Sequence, residues 1–350
     1  MDNGFVLPGL FNMHSHLSMA FPSMNSAELA AISSLRAYRR GYDALNAGVT
    51  TVRTQGELHR VDISLRKMIN EGWVQGPRIL AGGKGVGVSG GHGSEFGRIG
   101  ANGPDEFLKA ARTELAFGAD HVKIFITGGI SASARLREES EMTEEEMEAV
   151  VRVAGSKGTY VTAHAGGSEP ILKAVGAGVT CFEHGYVLNR KAAKAIKEAD
   201  GYLVPTLGVT RSPVWMREHG TTEQGLERVL SAADTHLQSI KTAIEEGVKL
   251  LNGTDIPPGD LNDGINATVR EIEFLTHAGL SFIEAIRAST ICAAELCGIS
   301  DRVGLAEPGY VADLIAVPSN PLSDIRSMRQ IRFVMKDGQI VRDDLHGKRI

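Results

Sequence analysis

The sequence has few cysteines and no long apolar run, and both shortages limit the kind of protein it can encode. Three cysteines, Cys181, Cys292 and Cys297, stand among apolar residues without a CxxC pair, which predicts reduced core thiols rather than a disulfide framework. No stretch approaches the roughly 18 uninterrupted apolar residues of a membrane span. The N-terminus has no charged region followed by an apolar core, so we expect a cytoplasmic protein without a signal peptide or a membrane partner.

A surplus of basic charge is missing as well. The 350 residues include 37 Lys and Arg against 42 Asp and Glu, for a net charge of -5 at pH 7, and the two signs are mixed along the chain. This balance offers no electrostatic footprint for nucleic acid. The length suits one large domain with a small appendage.

Eight short apolar runs alternate with longer amphipathic stretches. The runs read FVLPGLFNM, TTVRT, RILAGG, HVKIFIT, YVTAHA, CFEHG, YLVPTL and KLLNGTD. Their almost continuous hydrophobicity is typical of parallel strands buried on both faces. The stretches between them predict helices over 26–47, 61–73, 104–117, 143–157, 189–199, 223–246 and 263–278, and Thr143 with Glu146 predicts a capping box. We predict an α/β fold, a (β/α)₈ TIM barrel over 5–300. A doubly wound sheet is the alternative, but no GxGxxG follows the first run.

The last 50 residues have a different sequence pattern. ADLIAV and IRFVMKDGQIV alternate as strands do, and KDGQ between apolar residues indicates a hairpin turn. We predict that 301–350 form a small β appendage, and two strands of this kind need a partner surface to be stable.

Residues able to bind a metal ion fall at the predicted carboxyl ends of the strands, where barrel enzymes carry their active sites. In the first run, HSH places two imidazoles on the same face of a strand. Taken singly, a strand-end histidine is more often structural, and an aspartate there often caps a turn. Their joint occurrence at one rim predicts a metal site formed by His14, His16, Lys123, His164, His184 and Asp255.

Lys123 is the most informative member of this set. Its neighbours Val122, Ile124, Phe125 and Ile126 are apolar, and an ammonium group is costly to bury there without a partner. Two interpretations stay open: an amine with a lowered pKa, or a carbamate formed with carbon dioxide that bridges two divalent ions. The carbamate is preferred because it removes the buried positive charge beside the metals.

HSH, VKI, TAHA, FEHG and GTD, in this order along the chain, closely resemble the amidohydrolase superfamily. The sequence is most similar to its binuclear branch with a carboxylated lysine, near imidazolonepropionase-related and Xaa-Pro or Xaa-Arg dipeptidase-like members, and PGYVADLIAV with VMKDGQIV resembles their C-terminal tail. The resemblance implies one ion on His14, His16 and Asp255, a second on His164 and His184, and carbamylated Lys123 between them. Zinc suits the imidazoles, although manganese, cobalt or iron stay open.

Relatives of this kind usually begin with further strands that form a β sandwich with the tail. We therefore expect the appendage to be half a sandwich whose N-terminal half is absent. Its exposed strand edges favour association, and we expect a homo-oligomer.

The resemblance also implies a function. We expect metal-dependent hydrolysis of an amide bond in a small dipeptide-like or N-acyl amino acid-like substrate, by attack of a metal-bridging hydroxide with Asp255 as general base and then acid. Deamination, opening of a cyclic amide, lactone or imidazolone, and carbamate or organophosphate hydrolysis are alternatives at the same site. A non-catalytic metal-binding barrel or scaffold subunit is the alternative of another class.

Substrate contacts are harder to read from the sequence. Candidates are a histidine in a glycine-rich loop, a tyrosine two residues after a predicted ligand, and arginines in two loops: His92, Tyr186, Arg135 with Arg137, and Arg211. A flexible loop, core packing and surface solvation are the respective alternatives. Arg211 and Trp215 share a loop that is predicted to be a lid, and DIPPGDLNDG is predicted to form a second rim of the pocket. The other histidines are assigned to structure or surface: His59, His121, His219, His236, His277 and His346.

Overall fold

The computed structural model describes residues 4–20, 27–94, 97–130 and 138–345. All eight predicted apolar runs contain strands. The strands are β1 Phe5–Pro8, β2 Leu10–Ser15, β3 Val49–Thr54, β4 Arg78–Leu80, β5 Val86–Val88, β6 Ile99–Ala101, β7 Val122–Phe125, β8 Val161–Gly167, β9 Cys181–Val187, β10 Tyr202–Val204, β11 Lys249–Leu250, β12 Leu261–Asn262, β13 Ile265–Asn266, β14 Leu314–Val317, β15 Phe333–Lys336 and β16 Gln339–Asp343.

Helices separate most of the parallel strands. The α-helices are Ala30–Asn46, Val61–Asn70, Pro104–Phe117, Glu144–Ser156, Ser168–Gly176, Arg190–Glu198, Pro213–Glu218, Glu223–Ser231, Ala233–Glu245, Ala267–Ala278, Phe282–Ala288 and Ile291–Leu296. The capping box of Thr143 and Glu146 is confirmed. The predicted stretch 223–246 is two helices that meet at Ala232. No helix within the described ranges is long and apolar enough to cross a membrane.

Two parallel sheets carry the core. One has the order β2-β3-β4, and the other has the order β11-β10-β9-β8-β7-β5-β6. Backbone hydrogen bonds link the sheets at both ends: Met13 N–H donates to Asn252 O at 2.8 Å, and Asp120 N–H donates to Ala81 O at 2.8 Å. The predicted α/β class is confirmed, since parallel strands alternate with helices throughout this region.

The N-terminal strand differs from the prediction, which placed FVLPGLFNM in one barrel strand beginning at residue 5. The chain instead divides at Gly9, where a Cβ atom would lie 2.2 Å from the hydroxyl oxygen of Thr50. Before that point, β1 pairs with β14 in an antiparallel sheet of order β1-β14-β15-β16. Residues 5–8 therefore extend the C-terminal sheet, so the appendage has an N-terminal contribution that the prediction described as absent.

The C-terminal sheet ends in the predicted hairpin and packs on the parallel strands. Lys336 pairs with Gln339 across a turn in which Asp337 and Gly338 have φ values of 49° and 75°, as a two-residue hairpin loop requires. Arg78 at the start of β4 donates to Asp337 at 2.7 Å. Below the sheet, Met328 is fully buried in the same apolar cluster as the parallel strands.

Met328→Ala should therefore destabilise the whole protein. The substitution leaves a cavity between the C-terminal sheet and the main core, and we expect the free energy of unfolding in urea to fall by about 2–5 kcal/mol. Leu322→Ala is the control, because Leu322 lies in the same segment but is 52% exposed. Equal losses for the two variants would show that this face is not part of the main core.

Candidate active site

One cavity of about 390 Å³ opens at the carboxyl ends of the parallel strands, a volume within the range of small-molecule sites. The structure brings all six of the predicted metal-site residues to its wall: His14, His16, Lys123, His164, His184 and Asp255. His14 lies in β2 and His16 directly after it, Lys123 lies in β7, and Asp255 follows β11. His164 and His184 lie within β8 and β9 rather than at their ends.

Each of the four histidines has one ring nitrogen held by an outer partner. The Nδ1 atoms of His14, His16 and His184 lie 2.7 Å from Glu183 Oε2, 3.1 Å from Gly56 O and 2.7 Å from Thr206 Oγ1. In His164 the nitrogen held by an outer partner is Nε2, which lies 3.2 Å from Gly128 O. An outer partner on one ring nitrogen is the arrangement that orients metal-binding imidazoles.

The imidazoles of β8 and β9 are held in their neutral form. Burial, together with nearby His92, lowers the pKa of His164 well below 6.5. Burial, together with nearby His164, does the same to the pKa of His184. The two rings lie 4.5 Å apart between centroids. Because a metal ion binds the neutral imidazole, this pair needs no deprotonation to act as ligands.

Asp255 lies between the histidine pairs. Its Oδ1 is 3.3 Å from His14 Nε2 and 3.1 Å from His16 Nε2. Ligand atoms of His14, His184 and Asp255 also lie within 4.8 Å of one another. Burial would raise the pKa of Asp255, but the charges and hydrogen bonds of His14 and His16 outweigh it and hold that pKa well below its usual range.

Lys123 enters the cluster from β7 and is buried. Its Nζ has no hydrogen-bond partner among the described residues and lies 5.2 Å from the ring centroid of Phe125. Burial lowers the pKa of this amine to about 8. A buried amine without a partner is costly in a structural role, so its environment fits a group that gains an anionic form or a metal neighbour.

Sequence reasoning missed the ion pair beneath the cluster. Glu183 Oε1 accepts from Arg53 at 2.6 Å, and both side chains are fully buried. The Arg53 Nε also donates to Met13 O at 2.7 Å, and the Thr162 hydroxyl donates to Glu183. Glu183 therefore fixes His14 while Arg53 balances its charge. The available signal was a charged residue inside each of the apolar runs TTVRT and CFEHG.

The backbone of the site is strained at three residues. His184, Thr206 and Asp255 have φ values of 74°, 52° and 55°, a region that non-glycine residues enter at a cost. Gly253 precedes Asp255, and a Cβ atom there would lie 2.6 Å from the backbone nitrogen of His14. The glycine of the GTD motif is therefore needed to bring Asp255 against β2.

Two of the predicted substrate contacts lie at the cavity. His92 lines it, with its ring centroid 4.5 Å from that of His164. Tyr186 also lines it and stacks on His184 at 5.0 Å and 9°. Arg135 and Arg137 lie outside the described residues.

Two other residues lie where the sequence did not indicate. Arg211, a predicted substrate contact, is not among the described residues that line the cavity; its guanidinium group donates to Thr210 Oγ1 at 2.8 Å and to Ala233 O. His219, assigned to structure or surface, lines the cavity and stacks on Trp215 at 4.1 Å.

Two more of the histidines assigned to structure or surface are buried. His236 is buried with its Nε2 3.2 Å from His184 O, which is the structural role that the sequence predicted. His121 is also buried and stacks on Tyr160. His346 lies outside the described residues.

Known proteins share this chain's pattern over almost its whole length. The sequence model of the amidohydrolase family matches residues 5–341. Ochratoxinase of Aspergillus niger is 27% identical over an alignment 369 residues long, which covers 96% of this chain and 75% of that protein. The crystal structure of a Xaa-Pro dipeptidase with methionine bound in its active site matches with a TM-score of 0.87 and 32% identity, covering 97% of this chain and 87% of that one. The crystal structure of a prolidase complexed with N-methylphosphonate-L-proline matches with a TM-score of 0.86 and 27% identity, covering 97% of this chain and 87% of that one.

The fold and the histidine-rich cavity are thus those of a hydrolase that acts on carbon–nitrogen bonds in small molecules. The chain belongs to the amidohydrolase family. The resemblance drawn from HSH, TAHA, FEHG and GTD is confirmed, including its dipeptidase-like relatives. Members of the family are generally metal-dependent, and the His and Asp cluster of this chain offers suitable ligand atoms.

Glu183→Gln tests the buried ion pair. The substitution keeps the shape of the side chain but leaves the Arg53 charge unbalanced, and we expect the free energy of unfolding in urea to fall by about 3 kcal/mol or more. The control is Glu245→Gln, which breaks an exposed pair with Arg190 at 2.9 Å and should cost at most about 1 kcal/mol. A cost for Glu183→Gln as small as that of the control would contradict the assigned role of Glu183.

Proposed function

We propose that this protein is a binuclear metal-dependent hydrolase that cleaves the amide bond of a small dipeptide-like or N-acyl amino acid-like substrate. The observation that carries the proposal is that four histidines, Asp255 and the buried Lys123 line one cavity, with no hydrogen-bond partner for Lys123 Nζ among the described residues. Each imidazole also has one ring nitrogen held by an outer partner, as metal-binding histidines do.

The proposal includes the fold in its finer form, a closed (β/α)₈ barrel followed by an appended β sheet. The hydrogen bonds of Met13 with Asn252 and of Asp120 with Ala81 support closure, since they join the two parallel sheets at both ends. A closed barrel would direct all the carboxyl ends of its strands to one mouth. That the protein is cytoplasmic and that it forms a homo-oligomer both stay predictions.

The donor set suits two divalent ions. In this proposal His14, His16 and Asp255 would hold one ion and His164 and His184 the other, with Lys123, carbamylated by carbon dioxide, as a further ligand. The carbamate converts the costly buried cation into an anion at the centre of the cluster. Imidazole nitrogens with carboxylate oxygens favour zinc.

The protein's own groups would handle the proton. Bound ions would supply a water activated near neutral pH and would polarise the substrate carbonyl. Asp255 lines the cavity between the two histidine pairs, with its Oδ1 3.3 Å from His14 Nε2 and 3.1 Å from His16 Nε2, so its carboxylate would be placed to accept a proton there. It would then donate that proton to the leaving nitrogen, which makes it general base and then general acid. Tyr186 and His92 lie at the same wall and offer hydrogen-bonding groups to the substrate.

The names of the relatives support an amide substrate. A Xaa-Pro dipeptidase and a prolidase bound to N-methylphosphonate-L-proline are among the similar structures. The test is a panel of dipeptides, N-acyl amino acids, lactones and aminoheterocycles with zinc-loaded protein, before and after removal of the metal with a chelator. We expect amide cleavage that disappears with the metal and returns with zinc. Turnover of lactones or aminoheterocycles alone would replace the amide proposal.

Asp255→Asn should separate metal binding from proton transfer. Asparagine keeps one oxygen as a ligand but cannot accept the proton, so we expect kcat to fall by about 10²–10⁴-fold while metal content is retained. Asp263→Asn is the control, since Asp263 lies in the loop after Asp255 and also has a positive φ. A metal-replete Asp255→Asn enzyme with full activity would remove Asp255 from the proton path.

Lys123→Ala tests the bridging carbamate. We expect activity to be lost and then partly restored by short-chain carboxylic acids, because a carboxylate that fits the vacated space can take the carbamate's place between the ions. Lys109→Ala at an exposed helical position is the control and should behave as the wild type. Full activity of Lys123→Ala without added acid would rule out the bridge.

A further inference from the structure

One part of the cavity wall is mainly apolar. Val209, Trp215, Met216 and Val229 come from the segment between β10 and β11, together with the polar His219, Thr221 and Thr222, and Ile130 from the loop after β7 packs against the apolar ones. Among the described lining residues, Lys123 and Asp255 are the only ones of the types Lys, Arg, Asp and Glu, and both belong to the inner cluster. The region beyond the cluster therefore suits an uncharged, apolar substituent.

Trp215 is fixed within this wall by polar contacts on its outer side. Its indole Nε1 donates to Asp260 Oδ2 at 3.1 Å. The ring of His219 stacks on it at 4.1 Å, and His219 Nε2 lies 3.6 Å from the same carboxylate oxygen. Trp215 is only 6% exposed. These contacts hold the indole in one position, as selection by shape requires.

The wall and the proposed acid–base residue share one packed unit. Ile256, the residue after Asp255, belongs to the same apolar cluster as Trp215, Met216 and Val229. Asp260 lies four residues further along that loop and makes the contact with the indole. The distance between the wall and Asp255 is thus set by one short, buried segment.

We propose that the substrate carries a bulky aliphatic or aryl group on one side of the scissile amide, and that Trp215 determines this specificity. This inference rests on the proposed function, because it names the substrate class of that site. Asp260 acts as a positioning residue through the indole. Burial of each added methylene against the wall corresponds to about a fourfold gain in kcat/KM.

The experiment uses two substrate series with the zinc-loaded protein. One extends the acyl chain of N-acyl-L-alanine from acetyl to octanoyl, and the other enlarges the amino acid of N-acetyl substrates from alanine to leucine and phenylalanine. We expect kcat/KM to rise about fourfold per methylene in one series until the cavity is filled. Flat responses in both series, with N-acetyl-alanine cleaved, would overturn the inference and leave the proposed function intact.

Variants then locate the selectivity. Trp215→Ala should lower kcat/KM for the preferred large substrate by about tenfold or more, with little change for N-acetyl-alanine, which also reports correct folding. Val214→Ala, on the same helix but 47% exposed, is the control. Asp260→Ala should resemble Trp215→Ala, whereas Asp260→Asn keeps an acceptor for the indole and should retain the selectivity. Selectivity unchanged in Trp215→Ala would overturn the inference.

A binding measurement separates this inference from catalysis. The chain has two tryptophans, Trp73 and Trp215, so Trp73→Phe leaves Trp215 as the only indole. We expect hexanoic acid to change its fluorescence at concentrations at least about tenfold below those of acetic acid. This response without turnover of any amide would support the apolar pocket while the proposed function fails. Equal responses to the two acids would overturn the inference.

Discussion

The contact of Glu183 with both Arg53 and His14 is the interaction on which the rest of the site depends. It joins β9 to β3 and β2 at the level where the cavity begins. A buried ion pair adds little net stability, since its desolvation cost offsets the attraction, but removing one partner is expensive. Here the pair leaves His14 with its outer nitrogen fixed and its inner nitrogen facing Asp255. The buried ion pair thus adds little stability, and its effect is to fix the orientation of the His14 imidazole.

Other buried groups fix the side chains of the cluster in the same way, and some of them do so through strained backbone. Thr206, at a φ of 52°, places its hydroxyl on His184, and Glu271 holds the following turn by accepting from the backbone N–H groups of Leu207 and Gly208 at 2.6 and 2.8 Å. Strained residues of this kind persist only where the surroundings over-determine them. The inner cluster is therefore positioned before any ligand arrives, which is what a site for electrostatic chemistry needs.

The sequence predicted those features that follow from periodicity and spacing. Buried parallel strands have a recognisable pattern, a short and almost continuous apolar run, and a charged side chain within such a run is easily identified, as with Lys123. The break at Gly9 could not be predicted, because the pairing of β1 with β14 depends on a partner more than 300 residues away. The positions of Arg211 and His219 could not be predicted for a related reason: the direction of a side chain in a loop depends on tertiary contacts, which local sequence does not encode.

Chemistry and recognition meet in the segment from Gly253 to Asp260. Its first residue lets Asp255 approach β2, its Ile256 packs under the apolar wall, and its last residue holds Trp215. None of the six residues of the inner cluster lies in the helices Pro213–Glu218 and Glu223–Ser231, so substitutions in these helices change the wall rather than the cluster itself. Such a division allows one catalytic arrangement to serve different substrates, with the loops altering the shape of the pocket around a fixed centre.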